Sequence, residues 1–167
     1  NHKRFPVLDE EIGKQMKQEI ENARDRQDSV GGILETVISG VEAGIGEPSF
    51  SSLESMLSEA MFSIPAVKGI EFGSGFEFAN MYGSEANDVW IIQDNKVITK
   101  TNHNGGINGG IANGMPITFK TVIKPTPSIS LEQDSVNYET KENVKLSISG
   151  RHDPAIIHRA RAVVDAM

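Results

Sequence analysis

The stretch that most constrains this chain is Asn102–Ser128, NHNGGINGGIANGMPITFKTVIKPTPS. Five glycines fall within ten residues (Gly105, Gly106, Gly109, Gly110 and Gly114), and an Asn-Gly-Gly-Ile unit occurs twice in succession, at Asn104–Ile107 and Asn108–Ile111. Glycine admits positive φ and lets backbone N–H groups approach a ligand with no Cβ in the way. Runs of this kind build concave surfaces for anions and rings. The competing reading is a flexible linker, but linkers are Ser-rich and carry no regular apolar residue. Here Ile107, Ile111 and Met115 recur at every fourth position. The pattern therefore predicts a shaped loop with one side packed on a core.

The remainder of the chain sets bounds around that loop. A length of 167 residues predicts one domain with a substantial core. A net charge of −7 argues against a general nucleic-acid binder, which would carry a basic face. The sequence has no cysteine, so a disulfide framework, a thiolate metal site and a Cys nucleophile are all excluded. This suits a cytoplasmic protein. No run approaches the ~18 apolar residues of a membrane-spanning helix, and the charged N-terminal stretch is unlike a signal peptide. The chain opens at Asn1 rather than Met and stops at Met167 within a helical pattern. The expectation is a fragment of a longer protein, residues 1–167 forming a single domain.

Asp9, followed by Glu10 and Glu11, marks the start of a first helix. Its stripe of Ile12, Met16, Ile20 and Ala23 is too narrow for a buried helix and predicts a surface one. Val30–Val41 reads as a strand whose glycines point to a bulge or close backbone approach. Ser51 or Ser52 caps a second helix with Leu53, Met56, Leu57, Ala60 and Met61 on its apolar face, and Pro65 ends that segment. Val67–Phe72 is a strand, and one helical turn is predicted at Phe76–Met81. Val89–Ile92 and Val97–Lys100 flank Asp94-Asn95, a two-residue hairpin turn. Trp90 is read as a packing anchor. Ile117–Ile123 alternates as a strand. Ile129–Leu131 and Val144–Ile148 are expected to bracket a polar, acidic excursion over Glu132–Asn143, read as an exposed hairpin or mobile loop. Asp153-Pro154 predicts a last helix with Asp at the cap and Pro at its first position. Strands and helices in mixed order, with hairpin-type connections, predict an α+β fold with a largely antiparallel sheet.

Three stretches carry permissive backbone or ionic chemistry: Ser63–Gly69, Gly105–Ser128 and Gly150–Pro154. Lys124 lies in Lys124-Pro125-Thr126-Pro127-Ser128, where a rigid turn and neighbouring hydroxyls suit a phosphate; a solvated lysine at a strand end is the alternative. Arg151-His152-Asp153-Pro154 offers an anion-binding Arg beside a carboxylate that can accept a proton; a surface Arg beside a capping Asp is the alternative. His103, His152, Asp153 and His158 could be assembled into a metal phosphohydrolase site, but the four histidines show no ligand spacing. Pro154 also makes the His-Asp pair a helix start rather than a helix interior. No serine sits in a Gly-x-Ser-x-Gly elbow.

Several segments together resemble the chorismate synthase family over nearly the whole chain. They are Val30-Gly31-Gly32, Gly44-Ile45-Gly46-Glu47-Pro48, Ser63–Gly75, Gly83-Ser84-Glu85, Asn102–Pro116, Lys124–Ile129, and Gly150–Pro154 with Arg159-Ala160 and Asp165-Ala166-Met167. GRHDPAIIHRARAVVDAM closely matches a family signature. The resemblance implies a β-α-β sandwich and a homotetramer. It also implies a lyase of aromatic amino acid biosynthesis that removes phosphate and a C6 hydrogen from 5-enolpyruvylshikimate 3-phosphate in an anti-1,4-elimination. Reduced FMN is required without net redox change, the flavin lending an electron that helps expel phosphate. NADPH serves as reductant in members with their own reductase activity.

Carried over by position, the resemblance places Pro65 and Ala66 against the flavin, with only a backbone role for Pro65, since some relatives have Asn there. It makes Gly109 a flavin-contacting glycine and Lys124, Pro125, Thr126, Pro127 and Ser128 the turn holding the flavin phosphate. Arg151 falls at the flavin–substrate junction, and Asp153 matches the carboxylate that takes a proton from flavin N5. The family's Gly-Glu-Ser-His-Gly and Arg-Ser-Ser segments, two catalytic histidines and most substrate-binding arginines have no counterpart here. The expectation is that these residues alone do not turn over substrate. The alternative is a non-catalytic phosphate- or flavin-binding module.

Overall fold

The computed structural model describes residues 5, 7–150 and 152–167. In chain order the elements are α1 (Glu10–Asp25), β1 (Gly32–Ile38), α2 (Leu53–Phe62), β2 (Val67–Phe72), α3 (Gly83–Ala86), β3 (Trp90–Gln93), β4 (Lys96–Thr99), β5 (Ile107–Asn108), β6 (Ile111–Ala112), β7 (Ile117–Ile123), β8 (Gln133–Asn137), β9 (Glu142–Leu146) and α4 (Ile157–Val164). Short 3₁₀ turns occupy Ser49–Ser51 and Gly75–Asn80. The fold is α+β. The chain groups into two compact units: residues 1–32 with 123–162, and residues 33–122 with 163–167.

In the first unit, α1 starts where a carboxylate can satisfy its free amides. Asp9 accepts from the N–H groups of Glu11 (2.8 Å) and Ile12 (3.0 Å). Ile12 and Met16 stay exposed while Ala23 is buried, as expected for a surface helix. The polar excursion is itself the antiparallel hairpin β8–β9, running from Gln133 opposite Leu146 to Asn137 opposite Glu142. The hairpin alternative for this excursion is thus the one observed, while Ile129–Leu131 is not a strand and the strand expected at Val144–Ile148 runs over Glu142–Leu146. The Asn137 carboxamide oxygen fixes this turn by accepting from Glu139 N (2.9 Å) and Thr140 N (3.2 Å).

The helix expected from Asp153-Pro154 begins only at Ile157. The carbonyl of Pro154 accepts from Val30 N at 2.8 Å, so it is committed to the segment before β1 rather than to a helical turn. Ala155 is fully buried beside it. The amides of Arg159 and Ala160 bond instead to the carbonyl of Ile156, which starts the helix.

In the second unit the central sheet has the order β1-β7-β2. Strand β7 alternates buried and half-exposed residues, with Ile117, Phe119 and Thr121 on the buried side. Phe119 meets Phe72 of β2 in a tilted pair, ring centres 5.7 Å apart. Helix α2 is capped by Ser52, whose hydroxyl accepts from Ser55 N at 3.1 Å; it packs against β2, and its Met61 is wholly buried. Met56, expected on that apolar face, is exposed, as is Trp90, expected as an anchor. Trp90 begins β3 in the two-stranded β3–β4 hairpin, which has no second layer of its own strands. The hairpin turn falls at Asp94-Asn95, both at positive φ (50° and 60°).

Candidate functional site

The repeated sequence is a repeated conformation. Gly105 and Gly106 have φ of 63° and 81°, and Gly109 and Gly110 have φ of 60° and 91°. Each Asn-Gly-Gly-Ile unit is therefore a tight turn with two left-handed residues, which a residue bearing Cβ adopts only at a cost. The second turn closes the β5–β6 hairpin, in which Ile107 faces Ala112 and Asn108 faces Ile111. Ile107 and Ala112 are buried, which gives the loop the packed side its apolar spacing predicted. The hairpin is sewn to the Gly44–Pro48 loop by Gly44 N to Ala112 O and Ala112 N to Ile45 O, both 2.8 Å. The N–H of Leu53 donates to Gly110 O at 3.0 Å, so the start of α2 holds the hairpin tip.

The two turns differ in their surroundings. A Cβ on Gly105 would lie 2.5 Å from Gly73 N and 2.7 Å from Thr118 O, whereas one on Gly109 would meet open space. The first turn is locked in packing. The second offers an exposed, left-handed glycine at its tip.

The loop is anchored by a residue that the sequence reading passed over. Asp88 accepts from Thr101 Oγ1 (2.8 Å) and His103 N (2.7 Å) on one carboxylate oxygen, and from Asn104 N (2.9 Å) and Asn104 Nδ2 (2.8 Å) on the other. Partial burial pushes this carboxyl up, but the bonds from Asn104, His103 and Thr101 together outweigh it and hold Asp88 below its ordinary value of 3.8. A lowered carboxylate stabilises the fold above the unfolded value and loses that contribution as pH falls through the folded one. Protection of the His103 and Asn104 amides from hydrogen exchange is therefore expected to persist at about pH 5 and to fail in acid well below about pH 4. Unchanged protection in acid would show that the charge of Asp88 is immaterial. The side chain of His103 is engaged by its Nδ1 with Ser74 Oγ at 3.0 Å.

Pro65 and Ala66 form the central pair of a turn closed by Val67 N to Ile64 O at 3.3 Å. Ala66 has φ of +75°, where a type II turn ordinarily has glycine. Pro65 is exposed and Ala66 half-buried. Ala66→Gly is expected to stabilise the protein by about 0.5–1 kcal/mol by relieving this left-handed strain, net of the added unfolded-state entropy. A melting temperature that does not rise would contradict it.

Gly109, Pro65 and Ala66 thus belong to the second unit; Lys124–Ser128 and Asp153 belong to the first. The Lys124–Ser128 turn is fixed from the segment before β1. Ser29 Oγ donates to the Thr126 carbonyl at 2.6 Å, and a Cβ on Gly31 would come within 3.0 Å of Pro125 Cδ. Pro125, Pro127 and Ser128 are exposed. Lys124 is half-buried, and no carboxylate among the described residues pairs with it. The Thr126 hydroxyl is buried with no hydrogen-bond partner among them. A lysine with no carboxylate partner among the described residues and, two positions on, an unsatisfied hydroxyl are the donor types a phosphate would satisfy.

Asp153 is held at both oxygens. Oδ1 accepts from Ala155 N at 3.4 Å, and Oδ2 pairs with Arg159. Its neighbour His152 donates from Nε2 to the Ile148 carbonyl at 3.0 Å, which fixes the ring. Arg151 lies outside the described residues. Among the described residues, no three His, Asp or Glu side chains converge as a metal site.

The described residues form an α+β protein with a doubled glycine turn and a half-buried Lys124 that no carboxylate among them pairs. Comparison with known proteins defines the class further. The family model for chorismate synthase matches residues 1–167. The chorismate synthase of Methanococcus maripaludis is 50% identical over 153 residues, covering 92% of this chain and 41% of the relative. That of Lachnoclostridium phytofermentans is 52% identical over 160 residues, covering 95% and 43%. A crystal structure of chorismate synthase superposes with a TM-score of 0.66 at 34% identity, over 71% of this chain and 36% of that one. The chain belongs to the chorismate synthase family, a family of lyases, and spans less than half the length of these relatives.

Proposed function

We propose that this chain supplies the flavin-binding part of a chorismate synthase. That enzyme eliminates phosphate and the C6 hydrogen from 5-enolpyruvylshikimate 3-phosphate to give chorismate. What supports this reading most is family membership along residues 1–167, including every segment singled out on chemical grounds. Reduced FMN, when bound, supplies electron density that assists departure of the phosphate. NADPH, or a separate reductase, keeps it reduced. The assembly proposed is a homotetramer.

The residues take separable roles. Lys124 and the Thr126 hydroxyl bind the flavin phosphate, with Pro125, Pro127 and Ser128 shaping their turn. The backbone of Pro65 and Ala66 and the open Gly109 lie against the flavin. Asp153, oriented by Ala155 N–H and Arg159, holds a proton at its carboxylate. Arg151 meets substrate anions, a role resting on its motif alone. No Gly-Glu-Ser-His-Gly segment occurs in the sequence, so the isolated 167-residue chain is proposed to bind without turning over. The second reading is a non-catalytic flavin- or phosphate-binding module.

Anaerobic titration with reduced FMN tests binding, and a chorismate-formation assay tests turnover. Binding without chorismate is the expected result, and turnover by the isolated chain would overturn the division of labour. If binding is seen, adding a family chain that contains the Gly-Glu-Ser-His-Gly segment separates the two readings. Rescued turnover favours the enzyme part; its absence favours the module.

A further inference from the structure

The most heavily bonded carboxylate among the described residues has no part in the roles above. Asp88 stands two residues before β3, yet all four of its hydrogen-bond donors lie beyond β4, at Thr101, His103 and Asn104. Its bonds clamp the two backbone amides that immediately precede the first Gly-Gly turn. Asn102 secures the same turn from the other side: its Oδ1 accepts from Gly106 N and its Nδ2 donates to Pro116 O, both at 2.8 Å. Asn104 O then receives Ile107 N at 3.4 Å, and β5 begins at Ile107. Only the Gly105-Gly106 turn separates the clamp from the hairpin that carries Gly109 at its open tip.

We propose that Asp88 is a positioning residue for the glycine loop, setting where its second turn presents Gly109 to reduced FMN. The inference rests on the reading of that loop as flavin-facing. A carboxylate is required because all four partners are arranged as donors. In Asp88→Asn, whichever way the amide turns, its NH₂ faces at least one backbone N–H, of His103 or of Asn104.

The test compares ¹⁵N-labelled wild type with Asp88→Asn and with Ile70→Ala, a destabilising control in β2 away from the loop. In Asp88→Asn the amides from His103 to Gly110 are expected to lose hydrogen-exchange protection by at least about 10-fold, and the Kd for reduced FMN to rise by at least about 10-fold, a change worth about 1.4 kcal/mol. Ile70→Ala should leave both unchanged at a temperature where it is folded, which a purely global loss of stability in Asp88→Asn could not reproduce. Should Asp88→Asn fail to fold, Thr101→Val removes one bond at an exposed residue and should shift the same amides in the same direction. Unchanged loop amides in a folded variant would overturn the clamp. Altered amides with unchanged FMN affinity would reduce Asp88 to a structural role and overturn its link to the flavin. A wild-type chain that binds no FMN would overturn the flavin-facing reading, and the exchange measurement would still decide the clamp.

Discussion

Gly73→Ala should cost at least about 4 kcal/mol and release the glycine loop from the sheet, among the largest effects a single substitution produces. A Cβ at this position would lie 1.9 Å from His103 O and 2.5 Å from Gly105 N. Both obstacles are backbone, so no rotamer change relieves them. The residue cannot retreat either, because Gly73 N donates to Thr118 O at 2.9 Å and the next amide, Ser74 N, donates to His103 O at 2.7 Å. Its φ of +55° adds a cost of about 1 kcal/mol for any residue with a Cβ. Gly109→Ala is the matched control, since it shares a φ near +60° but meets open space. It should lose only that conformational cost, about 1 kcal/mol. Thermal melts should therefore place Gly73→Ala about 8–16 °C below wild type, with Gly109→Ala a few degrees below it. Equal melts for the two alanines would mean that the close approach of Gly73 to the loop is not a feature of the folded protein.

This contrast marks what the sequence could tell and what it could not. Local periodicity was enough for Val67–Phe72 and Ile117–Ile123, which are strands with those limits. Turn chemistry was enough for Asp94-Asn95, whose two residues take the left-handed φ the pattern requires. Glycine spacing told that the loop would be shaped and one-sided. It did not tell which glycine is locked and which is open, because the atoms around Gly73 and Gly105 come from segments about thirty residues apart in sequence.

Asp88 was illegible for the same reason: its partners lie 13 to 16 residues downstream and are mostly backbone or amide groups, which no motif announces. Asp153-Pro154 misled because local capping preference was overridden by tertiary pairing, the Pro154 carbonyl bonding to Val30 N. Met56 is placed on an apolar face by its helical spacing and Trp90 is read as a packing anchor because no aromatic or basic cluster accompanies it, and both are exposed. Large apolar side chains commonly remain on the surface. The residues singled out from the sequence lie in contiguous motifs, and Asp88, whose bonds hold one of those motifs in place, lies outside them.

Lys124→Glu is expected to weaken binding of reduced FMN by at least about 100-fold, or about 3 kcal/mol, while leaving riboflavin affinity unchanged. The lysine is half-buried and lacks a carboxylate partner among the described residues, so its charge is uncompensated until an anion arrives. Two unit charges about 4 Å apart near a protein surface interact by about 4 kcal/mol. Replacing attraction by repulsion, less what solvent and rearrangement recover, leaves an effect of the expected size. Riboflavin carries the same ring system without the phosphate, so it separates loss of an ion pair from loss of the pocket. Lys124→Met should fall between, at about a tenfold loss for FMN alone. Added salt should weaken FMN binding to the wild type and hardly affect riboflavin, because screening acts on the charged contact. If Lys124→Glu lowers both affinities alike, the lysine shapes the turn rather than binding phosphate. If it lowers neither, the turn at Lys124–Ser128 is not where the flavin phosphate lies, and the unsatisfied Thr126 hydroxyl must await a different partner.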